Sequence, residues 1–393
     1  MDPSHETFQL GPFTAPRLWT GLWQLSSNAW GTASVSKVRQ AMGRHVQRGY
    51  TAFGENMVRF SFTYRRQVRS SRMKNSIIGV LHRVCGPCFI RHAKGCTHHL
   101  PPSRPLRQRR NNICTGKASP WMSDSSSIVV SRVNFAPRWN APETVIGATK
   151  YCVFKPIVVS RETVEAAVHQ RMERMRTKRV DLLQFHWQDY ELKSDYMQAV
   201  DILNQLKSEG LIAALGLCNF DTLRTDEICT QFPGAIVSNQ VQFSLIDTRP
   251  LSLNGLADVC TKHGVKLLTY GTLCGGFLSD KWIDEPEPDP YSGSLNPSQR
   301  KYLDMIIKAW GTWALFQDLL RVLRDIGGRH GGLSVSNVAT RWVLDHQVVG
   351  AVIIGKSHPF YNEHHLQPTY QWQVRGWAAR SIRTTMPKSS VFL

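Results

Sequence analysis

The sequence predicts an α/β fold, a (β/α)8 TIM barrel, and three observations carry that prediction. Short apolar runs alternate with helical patterns through most of the chain, which is the rhythm of repeated strand–helix units. Runs such as 180–183 and 266–269 do not alternate apolar with polar residues, so they read as strands of a parallel sheet buried on both faces. Polar residues collect at the strand C-terminal ends: Lys150, His186, Asn219, Gln240, Tyr270 and Lys356. In a closed barrel those ends converge on one mouth, where active sites form. No G-x-G-x-x-G comes after the first strand, which counts against a doubly wound dinucleotide fold.

A strand is expected over 18–25, an amphipathic helix over 36–48 and a short strand over 51–53. Periodicity then lapses until about 141. It resumes as strand 145–152, helix 161–176, strand 180–186, helix 194–208, strand 213–217 and helix 222–229. Strand 235–241, helix 253–263, strand 265–270, a long helix 303–326, helix 334–345 and strand 350–354 complete the set. Eight strands result. The barrel is expected over 14–357, interrupted by a basic, irregular insert at 54–140 and succeeded by an irregular basic tail at 358–393. It is therefore incomplete around its second strand–helix unit and its last helix.

Charge supports that division. The chain has 393 residues, 42% of them hydrophobic, enough for a large core. Its net charge is +19, but the charge is not spread evenly. Between Met57 and Ser123 stand fourteen Lys and Arg and four His with no Asp or Glu. The tail after Glu363 adds four more cations, so the remainder carries only +1. A nucleic-acid partner, which such a charge would ordinarily suggest, is therefore not expected of the barrel. The nine cysteines are odd in number and scattered, unlike a secreted disulfide framework. No signal peptide or apolar span of membrane length is visible. A soluble protein of a reducing compartment, the cytoplasm, is the expectation.

The acid-free block contains Cys85-Gly-Pro-Cys88, Cys96 and His98-His99. Cys and His at such spacing can bind zinc, and a C-x-x-C can be a redox pair. Neither a second C-x-x-C nor a surrounding apolar periodicity is present, so no metal is expected. Pro101, Pro102, Arg104, Pro105 and Arg107 to Arg110 read as disordered basic low complexity. The block begins abruptly after strand 51–53 and has the character of non-coding or out-of-frame translation.

Five motifs carry chemistry: RVDLLQFHWQDY at 179–190, GLCNFD at 216–221, SNQVQFSLID at 238–247, TYGTLCGGFLS at 269–279 and SNVATRWVLD at 336–345. Their order and spacing resemble the aldo/keto reductases, over roughly 14–53 and 141–357. The resemblance implies a barrel that binds NADP(H) in extended form and moves hydride to or from a small carbonyl or alcohol substrate. It also implies a catalytic tetrad of Asp, Tyr, Lys and His. His186 stands in the family's L-x-x-H setting, where an imidazole polarises the substrate carbonyl. Lys150, after Thr149, matches the family lysine whose charge favours a phenolate.

The other two tetrad positions differ. The family's Asp, four residues and Tyr correspond here to Gly54 and Arg59. Loss of a positioned general acid lowers the rate by about 10²–10⁴, so impaired catalysis is expected. On the cofactor side, Asn219 and Gln240 match residues that hydrogen-bond the nicotinamide carboxamide, and Cys218 stands where a serine is common. Tyr270 matches the aromatic that stacks on the nicotinamide, and Gly271, Thr272 and Leu273 continue the pyrophosphate loop. Lys356 and Ser357 resemble the start of the 2′-phosphate site, where a cation and a hydroxyl suit a dianion. Two functional classes result: an NADP(H)-dependent oxidoreductase with impaired catalysis, and a non-catalytic barrel that binds cofactor or a partner and carries a disordered basic arm.

Overall fold

The computed structural model describes residues 6–22, 35–47, 49–54, 145–154, 156–188, 195–253 and 255–355. A hairpin opens this part of the chain, β1 (Thr7–Leu10) with β2 (Phe13–Pro16), turned at Gly11 with a left-handed φ of 55°. The barrel begins with β3 (Leu18–Gly21), then α1 (Val35–Gln47) and β4 (Ala52–Gly54). Beyond the undescribed stretch come β5 (Ile146–Val153), α2 (Arg161–Met175), β6 (Val180–Trp187), α3 (Asp195–Ser208), β7 (Ile212–Cys218) and α4 (Thr222–Gln231). The remaining elements are β8 (Ile236–Gln242), α5 (Leu256–Lys262), β9 (Lys266–Tyr270), α6 (Pro297–Met305), α7 (Trp313–Arg329), α8 (Val335–Leu344) and β10 (Val349–Gly355).

Strands β3 to β10 run parallel, and β10 pairs with both β9 and β3 to close the barrel. The eight-stranded (β/α)8 fold is thus the one expected, and each anticipated strand is present. The basic block after β4 and the tail after β10 lie outside the described residues. So do Arg59, Lys356 and Ser357.

Two-residue alternation sorts each strand into an inner and an outer face. Trp19, Ala52, Ala148, Leu182, Ala214, Leu268, Ala351 and Ile353 form an inner core. Outward residues such as Leu183, Phe185, Leu215, Leu217 and Leu267 meet the helices. The hairpin, which the sequence did not signal, plugs the barrel floor: Leu10 and Ala15 join the inner core. A Cβ on Gly350 would lie 2.4 Å from the Phe8 ring, so that approach requires glycine. Arg17 fastens the plug by donating to the carbonyls of Gly350, Leu344 and Val349 and pairing with Glu6.

The helices start where side chains cap them. Ser160, Asp221, Thr312 and Ser334 each accept a backbone N–H of the first turn, satisfying donors that a helix leaves open. The expected single helix over 303–326 is corrected by the structure. It is two helices, α6 and α7, separated by a π-helical turn over Ile306–Trp310 and by Gly311. The chain leaves the helical conformation at Gly311, with φ 169° and ψ −118°. Thr312 then restarts the helix by accepting from Leu315 N at 3.2 Å. These helices build a second apolar cluster around Phe277, Trp310, Trp313 and Phe316.

Candidate active site at the barrel mouth

Lys150 lies near the end of β5, two residues beyond the inward Ala148, and is only 3% exposed. Arg171 on α2 holds the backbone there, its Nε donating to Lys150 O at 2.7 Å, while its guanidinium covers the Tyr151 ring on the outer face. His186 stands on β6 two residues beyond Gln184, the register partner of Lys150, and opposite Cys152, with the Phe154 ring edge-on at 5.7 Å. The structure brings the two predicted catalytic residues together. Burial first, and then the nearby Lys150 charge, push the His186 imidazole down to about 4, so it is neutral near pH 7. Cys218 on β7 belongs to the same group. Burial raises its thiol, and the Lys150 ammonium partly offsets this.

This half of the interior is polar but unsatisfied. Lys150 Nζ, both amide atoms of Gln184, His186 Nδ1 and Ser238 Oγ are buried with no hydrogen-bond partner. Buried polar atoms are nearly always paired, so these five orphaned atoms mark a place arranged for something other than its own packing. Gly54 ends β4, pairing with Ala148. A Cβ there would meet Ile353 and Trp19 at 3.7–3.8 Å, ordinary contact, so the position is open to a side chain that the sequence does not supply.

The predicted cofactor residues line the other side of the rim. Asn219 succeeds β7 in a left-handed conformation, φ 61°, which asparagine tolerates better than most residues. Its N–H donates to Gln240 O at 2.9 Å, and its Oδ1 accepts the Tyr270 hydroxyl at 3.0 Å. Gln240 is buried on β8, with its Oε1 3.8 Å from Cys218 Sγ. This contact joins the two halves of the site. Burial pushes the Tyr270 phenol upward, so it stays protonated. Asn219 and Gln240 offer amide donors and acceptors of the kind a carboxamide needs, and Tyr270 offers a half-buried ring. A nicotinamide fits that set.

Gly271 is required by geometry: its φ is 74°, and a Cβ would lie 2.1 Å from Tyr302 Oη. The Thr272 hydroxyl donates to Phe243 O at 3.1 Å, and Leu273 packs into the second apolar cluster. These two side chains are committed to the fold, so a ligand would meet only their backbone.

Sequence reasoning missed a neighbouring network. Gln242, at the end of β8, donates to Asp247 at 2.7 Å and accepts from Lys301 Nζ at 2.8 Å. Arg249 grips the same Asp247 with two bonds of 2.7 Å. Lys301 lies 5.6 Å from the Tyr270 ring and 4.8 Å from that of Tyr302, and burial lowers its ammonium to about 8. The available signal was Asn296-Pro-Ser-Gln299, a capping box that starts α6 and so positions Lys301. Among the described residues no group of His, Cys, Asp and Glu is arranged to hold a metal, and no helix is long and apolar enough to cross a membrane.

Comparison with known proteins agrees with this geometry. Residues 128–371 match the model of the aldo/keto reductase family. The chain is 30% identical over 182 residues to flagellar radial spoke protein 5 of Chlamydomonas reinhardtii, covering 42% of this chain and 33% of that protein. It is 23% identical over 202 residues to an NADH-specific methylglyoxal reductase of Escherichia coli, covering 51% and 57%. The matched stretch thus spans less than two thirds of either relative. A glycerol dehydrogenase from Gluconobacter oxydans superposes with a TM-score of 0.59 at 17% identity, over 100% of this chain and 99% of that one. An aldo/keto reductase from Klebsiella pneumoniae, solved with NADP and acetate, gives 0.54 at 13% identity over 96% and 90%.

Proposed function

The chain belongs to the aldo/keto reductase family, and on that premise we propose that it binds NADP(H) across the barrel mouth and retains an impaired hydride transfer between the nicotinamide and a small carbonyl or alcohol. By family it is an oxidoreductase. The observation that carries the reading is the convergence of Lys150 and His186 on one side of the rim with Asn219, Gln240 and Tyr270 on the other. The functional unit in this reading is the barrel of 14–357, interrupted at 54–140, in a cytoplasmic protein.

Bound reduced cofactor would supply the hydride. The chain's own residues would do the rest. Neutral His186 can donate an N–H to the substrate oxygen, and the Lys150 charge favours the negative charge that builds there. Proton delivery is the weak point. The Tyr270 hydroxyl is engaged by Asn219, and Gly54 brings no carboxylate beside Lys150. The proton would then come from water, with a loss of about 10²–10⁴ in rate.

Cofactor choice rests on Lys356 and Ser357. The Klebsiella structure holds NADP, whereas the Escherichia coli relative is named as NADH-specific. Nicotinamide fluorescence titration tests the reading, with NADPH expected to bind more tightly than NADH. Equal affinities would defeat the role of Lys356, and absence of binding would remove the cofactor reading. Gly54 also favours the second reading, a non-catalytic binding barrel, and one relative is named for a flagellar assembly. Saturable cofactor binding with no turnover of any aldehyde would establish that alternative.

A further inference from the structure

We propose that Lys301 is a covalent acceptor for small aldehydes, its amine condensing with the carbonyl to a reversible imine on the cofactor side of the barrel mouth. The placement comes first. Asn296 and Gln299 cap the start of α6 in both directions, and Pro297 opens the helix. The second turn, which carries Lys301, is thereby held against the ends of β8 and β9. There Nζ donates to Gln242 Oε1 at 2.8 Å and lies 4.8 Å from the centre of the Tyr302 ring and 5.6 Å from that of Tyr270. Lys301 is partly exposed, whereas Lys150 is only 3% exposed, so a small molecule entering the mouth can reach the Lys301 amine.

The surroundings favour the neutral amine, which is the form that attacks a carbonyl. Asp247, the carboxylate of this network, has both oxygens engaged: Arg249 donates to Oδ1 and Oδ2, and Gln242 also donates to Oδ2. Gln242 offers Lys301 an amide oxygen, which accepts a hydrogen bond but carries no charge. The groups that face Lys301 are Asp247 and Arg249 beyond β8, Tyr270 on β9, Cys274 after it, and Tyr302 on its own helix. Burial keeps Tyr270, Cys274 and Tyr302 protonated. Asp247 and the two rings favour the ammonium, but burial outweighs them and Arg249 acts in the same direction as burial. The resulting pKa of about 8 leaves over ~10² times more neutral amine at pH 7 than an ordinary lysine has. The step balances with no oxidant or reductant. Nζ bonds to the carbonyl carbon, one amine hydrogen passes to the carbonyl oxygen, and the hydroxyl so formed leaves as water with the second. Water reverses it. The flat Tyr270 ring beside Nζ suits an aryl substituent on the aldehyde.

The inference does not depend on cofactor binding and is tested in its absence. The full chain is equilibrated with a low concentration of benzaldehyde at a series of pH values. Sodium borohydride then reduces each imine to a stable benzylamine, and peptide mass spectrometry locates the adducts. Near pH 7, occupancy at Lys301 should exceed that at the exposed Lys262 and Lys308 by about tenfold or more. Occupancy at Lys301 should climb with pH and level off above about 8, where its amine is fully neutral, whereas occupancy at the other two keeps climbing. Arg249→Gln replaces an exposed side chain and removes the cation that opposes the Lys301 ammonium, so the levelling point should move to higher pH. Occupancy of Lys301 no greater than that of Lys262 and Lys308 would overturn the proposal. So would a profile with no levelling, or a levelling point that Arg249→Gln leaves in place.

Discussion

The two halves of the barrel mouth are built to different standards. On the side of β8 and β9, bonds between 2.7 and 3.0 Å tie Gln242, Asp247, Arg249 and Lys301 together and join Tyr270 to Asn219. Across the mouth, on β5 and β6, Lys150, Gln184 and His186 hold buried atoms with no partner. The β8–β9 side is thus extensively cross-linked, although Ser238 Oγ and Asn239 Oδ1 on β8 are also unpartnered, while the polar atoms of the β5–β6 side have no such network. On the proposed reading, the difference points to β4, where Gly54 ends the strand beside the less bonded half.

The largest effect should come from repairing that side. Gly54→Asp with Arg59→Tyr restores a carboxylate and a phenol at the family's spacing. Aldehyde reduction by the double variant should rise by about 10²-fold or more. The gain should disappear in Lys150→Met and His186→Ala backgrounds. Steady-state assays with NADPH check this, and a gain that survives His186→Ala would mean the chemistry sits elsewhere.

Acid should expose the same asymmetry through stability. His186 has its folded pKa lowered to about 4, against about 6.5 in an unfolded chain. The unfolded state takes up a proton first as pH falls. The neutral, buried form therefore contributes stability that is full above about 6.5 and is lost as pH drops through about 4. The loss is up to about 3 kcal/mol. Urea unfolding at a series of pH values should show this slope, and His186→Asn should flatten it.

Two glutamines sharpen the comparison further. Gln184 on β6 and Gln242 on β8 are both buried polar strand residues, one orphaned and one fully bonded. Gln184→Met should stabilise the fold by about 1–3 kcal/mol, because an unsatisfied buried amide is removed. Gln242→Met should destabilise it by a similar amount, because Asp247 and Lys301 lose a partner. Chemical denaturation of the two variants gives the signs, and equal signs would erase the distinction between the halves.

How much of this was legible depends on the kind of signal. The strands were readable because their apolar composition is local, and the places of Lys150, His186, Asn219, Gln240 and Tyr270 in or just after their strands were readable because motifs fix them there. The β1–β2 plug was not, since four-residue strands leave no period and their partners, such as Gly350, lie over 300 residues away. The break between α6 and α7 was missed because the apolar pattern runs through it. Gly311 and Thr312 mark it only when read together. The Gln242–Lys301 network was invisible because it joins a strand end to a helix 59 residues later. The orphaned atoms cannot be seen in sequence at all, since being unpartnered is a property of the folded neighbours.

The smallest effect concerns the bond that organises the cofactor side. Tyr270→Phe removes the hydroxyl that donates to Asn219 Oδ1 at 3.0 Å while leaving the ring in place. Stability should fall by about 1 kcal/mol, the net worth of a hydrogen bond with its acceptor left near solvent. Cofactor affinity should change by less than about tenfold, since the flat π face that would meet the nicotinamide is retained. Tyr270→Ala removes ring and hydroxyl together and should cost much more in affinity. Paired urea-unfolding and fluorescence titrations of the two variants separate the contributions. If Phe lost as much affinity as Ala, the hydroxyl–Asn219 link rather than the ring would be what holds the nicotinamide end, and Asn219 would have to be positioned by Tyr270 before it could bind.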